Sequence, residues 1–123
     1  MELTKELEAD EGSFLLELRT SLNWNHTSFV NLVSKLYTYC QNNKEVNKLE
    51  RPVASSIWYI STFIRDWTEH NNFPKDQPEE YYTKSYELVN DLAEFYFNGT
   101  SPYTNEEHLL DKIEELKSIA NKR

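Results

Sequence analysis

RPVASSIWYISTFIRDWTEH, residues 51–70, decides the fold class. Pro52 has a fixed φ and no N–H, which suits the first turn of a helix. From there Val53, Ile57, Ile60, Ile64 and Trp67 recur at three- and four-residue intervals, the period of one helix face. Trp58 and Phe63 fall off that stripe, so a helix over 52–70 is apolar on more than one side and is expected at the centre of the molecule. On that placement Trp58→Ala should cost about 3–5 kcal/mol.

Outward from this segment the same period continues. Toward the N-terminus, Phe29, Val33, Leu36 and Cys40 mark a helix over about 27–41, with Val30 and Tyr37 widening its face. Phe14, Leu15, Leu18 and Leu22 mark an earlier one, which Leu3 and Leu7 extend in phase past Gly12. Toward the C-terminus, Pro74 and Pro78 bracket a loop, and Tyr82, Val89, Leu92, Ala93 and Tyr96 run to Gly99, a fitting helix C′ residue. Thr104 and Glu107 have capping-box spacing before Leu109, Ile113, Leu116 and Ala120. The expectation is a single all-α domain over 1–123: a compact four- to five-helix bundle around 52–70, with 1–12 a loosely attached N-terminal segment.

Composition narrows the function. With 2 glycines and 4 prolines in 123 residues, the chain has too little turn chemistry for a β-sandwich and no glycine-rich phosphate loop. Its 21 acids and 13 bases leave a net charge of −8, which disfavours direct contact with nucleic acid or an anionic membrane. Cys40 is the only cysteine, so no intrachain disulfide or cysteine-based zinc cluster can form. The first residues are acidic where a signal peptide would be basic and then apolar, and no run reaches membrane-span length. A soluble, cytoplasmic protein without cofactor is expected.

Charge is uneven along the chain: residues 1–22 hold six acids and two bases, and residues 65–100 hold eight and three. Glu80, Glu87, Asp91 and Glu94 recur at near-heptad spacing opposite the apolar stripe of their helix, interrupted by Lys84. Such a face is either a solvated surface or a docking face for a basic partner. Tyr81 and Tyr82 favour docking, because the two adjacent rings are not both expected to point inward, and an exposed tyrosine among acids suits recognition. Arg65, Asp66 and His70 read as a structural polar network, with Arg65 buried and paired to Glu17, Asp66 or another helix's carboxylate. Asp66 and His70, four residues apart, are also the one helical pair that could begin a metal site, although the further ligands such a site needs are not evident. Cys40 lies on an apolar stripe, where an inert thiol is the common outcome.

FLLELRTSLNW (14–24), FIRDWTEHNNFP (63–74), PEEYY (78–82) and LAEFYFNGTSPY (92–103) together resemble a family of small helical bacterial immunity proteins encoded beside polymorphic toxins. The resemblance covers roughly 13–103 and implies a non-enzymatic inhibitor that masks the active site or substrate path of a cognate toxin domain. The implied partner is a basic toxin C-terminal domain, met through Glu80, Tyr81, Tyr82, Glu87, Asp91 and Glu94. Two other classes remain open: a metal-dependent helical-bundle enzyme using Asp66, His70 and further carboxylates, and an adaptor that binds a basic protein other than a toxin.

Overall fold

The computed structural model describes residues 14–44, 48–69, 73–103 and 107–121. Among them are five helices and no strand: α1 Phe14–Ser21, α2 His26–Asn43, α3 Arg51–Thr68, α4 Glu79–Asn98 and α5 His108–Asn121. The expected all-α bundle is therefore present. Leu3, Leu7, Gly12, Thr104 and the segment 1–12 lie outside the described residues.

Local chemistry sets the boundaries. Leu22, with φ 51°, turns the chain out of α1, and the Glu17 carboxylate accepts bonds from the Asn23 and Asn25 side chains, closing that turn. Asn25 then caps α2, its Oδ1 accepting the Ser28 N–H at 3.0 Å. Pro52 sits in the first turn of α3. α4 begins with Glu79 and Glu80, whose charges complement the positive end of the helix, and ends at Gly99 with φ 76°. The Gly99 N–H donates to the Phe95 carbonyl, and a Cβ built there would lie 2.9 Å from the Lys44 carbonyl oxygen. Only glycine fits both the left-handed backbone and the close approach of the chain after α2.

The bundle is organised around α4, which packs against α2, α3 and α5, while α5 also packs on α2 and α1 leans on α2. This corrects the expected central position of the helix over 52–70: α3 is a flank, held mainly to α4. Its buried side chains are Ile57, Ile60, Ile64 and Thr68, a narrow stripe, whereas α4 buries nine residues, eight of them in adjacent pairs such as Tyr81/Tyr82, Leu88/Val89 and Phe95/Tyr96. Neighbours in sequence stand about 100° apart on a helix, so both members of a pair can be buried only where the covered arc is wide. Trp58 is 62% exposed and contributes little to the core.

One end of the core is aromatic. Trp24 meets Phe14, Phe29, Tyr81 and Tyr82 with ring centroids 4.8–5.8 Å apart, mostly edge to face. Its Nε1–H donates to the Tyr81 hydroxyl at 3.0 Å, and that hydroxyl bonds His26 Nδ1 at 2.6 Å. Since Trp24 can only donate, the Tyr81 proton is left for His26. Burial, and then the charge of Lys117, lower the His26 pKa from 6.5, favouring the neutral ring that accepts it. Cys40 is buried with its Sγ 3.6 Å from the Leu92 carbonyl, and burial pushes its thiol up to about 12, so it stays protonated at neutral pH.

Candidate partner-binding surface

The α4–α5 seam is built by two lysines that each serve two carboxylates. Lys84 of α4 lies 4.0 Å from Glu80 and 3.3 Å from Glu115 of α5. Lys112 of α5 lies 3.0 Å from Glu87 and 3.1 Å from Asp91 of α4. Asp91 also accepts the Tyr103 hydroxyl at 2.8 Å, and the Lys112 ammonium stands 4.9 Å from the Tyr103 ring centroid. Burial alone would lower the Lys112 pKa, yet its bonds to Tyr103, Glu87 and Asp91 prevail and raise it. The seam is thus a half-buried polar clasp along one flank of the acidic face.

Beyond the clasp the surface remains strongly negative. Residues 79–121 contain ten acids against three lysines, a surplus of seven, and the third lysine, Lys117, is paired with Glu114 at 3.0 Å. Every lysine of this stretch is therefore committed to a carboxylate within it. Glu79, Glu94 and Asp111 are exposed and take part in no ion pair among the described residues. At 3.6 residues per turn, Glu80, Glu87 and Glu94 form a line along the solvent side of α4. Phe97, 42% exposed and three residues beyond Glu94, ends that line with an aromatic ring.

The predicted site residues divide accordingly. Glu80, Glu87 and Glu94 share the exposed face, Glu80 and Glu87 while also pairing with Lys84 and Lys112, whereas Asp91 is drawn into the clasp and only partly exposed. Tyr81 and Tyr82 are 0% and 1% exposed, so the expected tyrosine patch is corrected: both rings bracket Trp24 inside the core. The exposed aromatic of this face is Phe97, whose three-residue offset from the Glu80, Glu87, Glu94 series was the available signal. The expected buried network is corrected as well. Arg65 is on the surface, its Nε donating to Glu69 at 2.8 Å, and Asp66 is exposed. Glu17 is engaged instead by Asn23 and Asn25, while His70 lies outside the described residues.

On the other flank of α4 an open groove of about 640 Å³ separates it from α3. Arg65 and Lys75 stand 5.8 and 5.6 Å from the Tyr86 and Tyr82 ring centroids, facing Glu69, Glu79 and Glu87 along the rim. Thr68 Oγ1 donates to the Ile64 carbonyl, so the Tyr86 hydroxyl donates to Thr68 at 2.6 Å and is held at the groove wall. Burial raises the pKa of both Tyr82 and Tyr86, which makes neither a base at neutral pH. The groove is a mixed-charge cleft suited to positioning a polar chain.

Among the described residues no three His, Cys, Asp or Glu side chains gather as a metal-ligand set, and no helix is long and apolar enough to cross a membrane. Compared with protein families, curated proteins and solved structures, the chain matches none.

Proposed function

We propose that this protein is a binding protein that neutralises a basic partner domain through the solvent face of α4, and that the partner is the toxin domain implied by the resemblance to immunity proteins. The observation that carries the reading is the net negative charge of residues 79–121: their three lysines are already paired within the stretch and acids outnumber bases there by seven. Such a surface steers a cationic partner and speeds encounter, and the aromatic ring of Phe97 offers a desolvated anchor among the charges. Glu80, Glu87 and Glu94 supply the field. Asp91 holds the clasp that keeps α4 and α5 in register.

The test is co-expression with the C-terminal domain encoded immediately upstream in the native locus, reading growth and complex formation. Rescue of arrested growth by the intact protein is expected. The variant Glu80→Lys/Glu87→Lys/Glu94→Lys should lose it, with an association rate reduced about tenfold or more and a flattened salt dependence. Asp91 is left intact as the more buried carboxylate of the clasp, and because Glu87 also pairs with Lys112, the helical circular dichroism and thermal midpoint of the variant are compared with those of the intact protein. Rescue and salt dependence unchanged in the triple variant would overturn the assigned face, and binding of a basic protein with no toxic activity would move the reading to an adaptor.

A further inference from the structure

The outer face of α3 is unusual for a surface helix. Arg51, Ser55, Trp58, Tyr59, Thr62 and Asp66 fall within an arc about 100° wide at 3.6 residues per turn, facing away from α4. Trp58 and Tyr59, 62% and 41% exposed, stand at its middle. The hydroxyls around them are turned inward: Ser56 Oγ donates to the Pro52 carbonyl, Ser61 Oγ to that of Trp58, and Thr62 Oγ1 to those of Trp58 and Tyr59. On the face itself the Thr62 hydroxyl is spent on the helix backbone, and the two aromatic rings dominate its middle. Arg51 and Asp66 close its two ends, and neither belongs to an ion pair among the described residues.

We propose that two copies of this chain associate through α3, crossing antiparallel about a two-fold axis between Trp58 and Tyr59. In such an isologous contact, residues equidistant from the axis meet. Trp58 then lies on the partner's Tyr59, Ser55 faces the partner's Thr62, and Arg51 meets the partner's Asp66. The symmetry repeats each contact, giving two ion pairs at the ends of a paired aromatic centre. A cation and an anion, each without an ion-pair partner among the described residues, stand at equal distances from the centre with opposite sign. That arrangement selects a second copy over a generic apolar partner.

Residues 14–78, which include α3, hold six acids and seven bases and are nearly neutral, whereas residues 79–121, which include α4 and α5, carry a surplus of seven acids. Tryptophan, tyrosine and arginine are also the residues that most often dominate interface energy. A contact of one 18-residue helix per copy, about 27 Å long, lies at the small end of specific interfaces. A dissociation constant on the order of micromolar is expected, not nanomolar.

Sedimentation velocity of the full chain from about 1 to about 300 µM tests this, because mass action makes a dimer of this strength visible only across that range. The mass should rise from 14.7 kDa toward twice that value. Trp58→Ala should weaken association by about thirtyfold, with its helical circular dichroism unchanged. Arg51→Asp or Asp66→Arg alone should each weaken it about tenfold by placing like charges opposite, and the double reversal should restore it. The Glu80→Lys/Glu87→Lys/Glu94→Lys variant should still pair, which separates this contact from the partner-binding face. A monomer throughout the range, pairing indifferent to Trp58→Ala, or a double reversal no better than the single changes would each overturn the proposal.

Discussion

Tyr81 joins three elements through one oxygen. Its hydroxyl receives the Trp24 indole proton from the α1–α2 turn and reaches His26 at the start of α2, while its own backbone opens α4. Tyr81→Phe keeps the ring and its edge contacts but leaves the buried Trp24 N–H without an acceptor. The loss should be about 1–3 kcal/mol in chemical denaturation, the range for an orphaned buried donor. His26 adds a pH dependence whose sign follows from its lowered pKa: the unfolded chain binds the proton more readily than the folded one. Its contribution is fully present above the unfolded value near 6.5 and is lost as pH falls through the lower folded value. Proton NMR titration of the His26 ring should place its midpoint below 6.5, and a midpoint at or above that value would contradict the neutral acceptor assigned here. None of this was legible in the sequence, where Trp24, His26 and Tyr81 lie 55 or more residues apart across the contact and no local spacing links them.

At the scale of elements, helix existence was legible and helix surroundings were not. Periodicity and punctuation placed α2, α3 and the Gly99 end of α4 within two residues of where they stand. The polarity of a face does not say which neighbour will meet it, so Asp91 read as part of a free acidic ridge until Lys112 and Tyr103 of the following segment closed on it. Lys112→Met should separate these contributions. It retains the alkyl stem but leaves the half-buried Asp91 without its cation, so a loss of about 1–3 kcal/mol is expected, largely removed by adding Asp91→Asn. A double-mutant cycle with no coupling would show that the clasp is not an energetic unit. Gly99→Ala tests the other end of α4. The left-handed backbone alone costs roughly 1–2 kcal/mol in a residue with a Cβ, and the nearby Lys44 carbonyl adds to it, so thermal denaturation should show a clearly lowered midpoint.

The centre of the molecule was misplaced by hydrophobicity and would have been found by arc width. α3 carries three aromatic residues and three isoleucines among its 18 positions beside Trp58, yet its buried stripe is one residue wide, with serines and threonines between. α4 reads as more polar but repeats adjacent apolar pairs, the signature of a helix covered on several sides. Tyr59, Phe63 and Trp67 explain the difference: their rings stack in a row at 5.2 and 5.5 Å along a flank of α3, and Trp67 donates its Nε1–H to the Leu18 carbonyl. They stiffen the helix and tether it to α1 without burying it deeply.

This architecture sets an order of opening. α4, with nine buried side chains and three neighbours, cannot unfold without the whole core, whereas α3 rests mainly on α4 through four. Native-state hydrogen exchange at a concentration low enough to keep the chain monomeric should therefore find the amides of α3 exchanging through a sub-global opening, at a free energy below that of α2, α4 and α5. Raising the protein concentration should slow exchange in α3 selectively if its outer face pairs with a second copy, because association stabilises only the closed helix. The Trp58→Ala variant should show the same α3 opening with no concentration dependence. Uniform protection across α3 and α4 in the dilute protein would mean that α3 is integral to the core after all, and would return the stability of this flank to contacts beyond the four buried side chains.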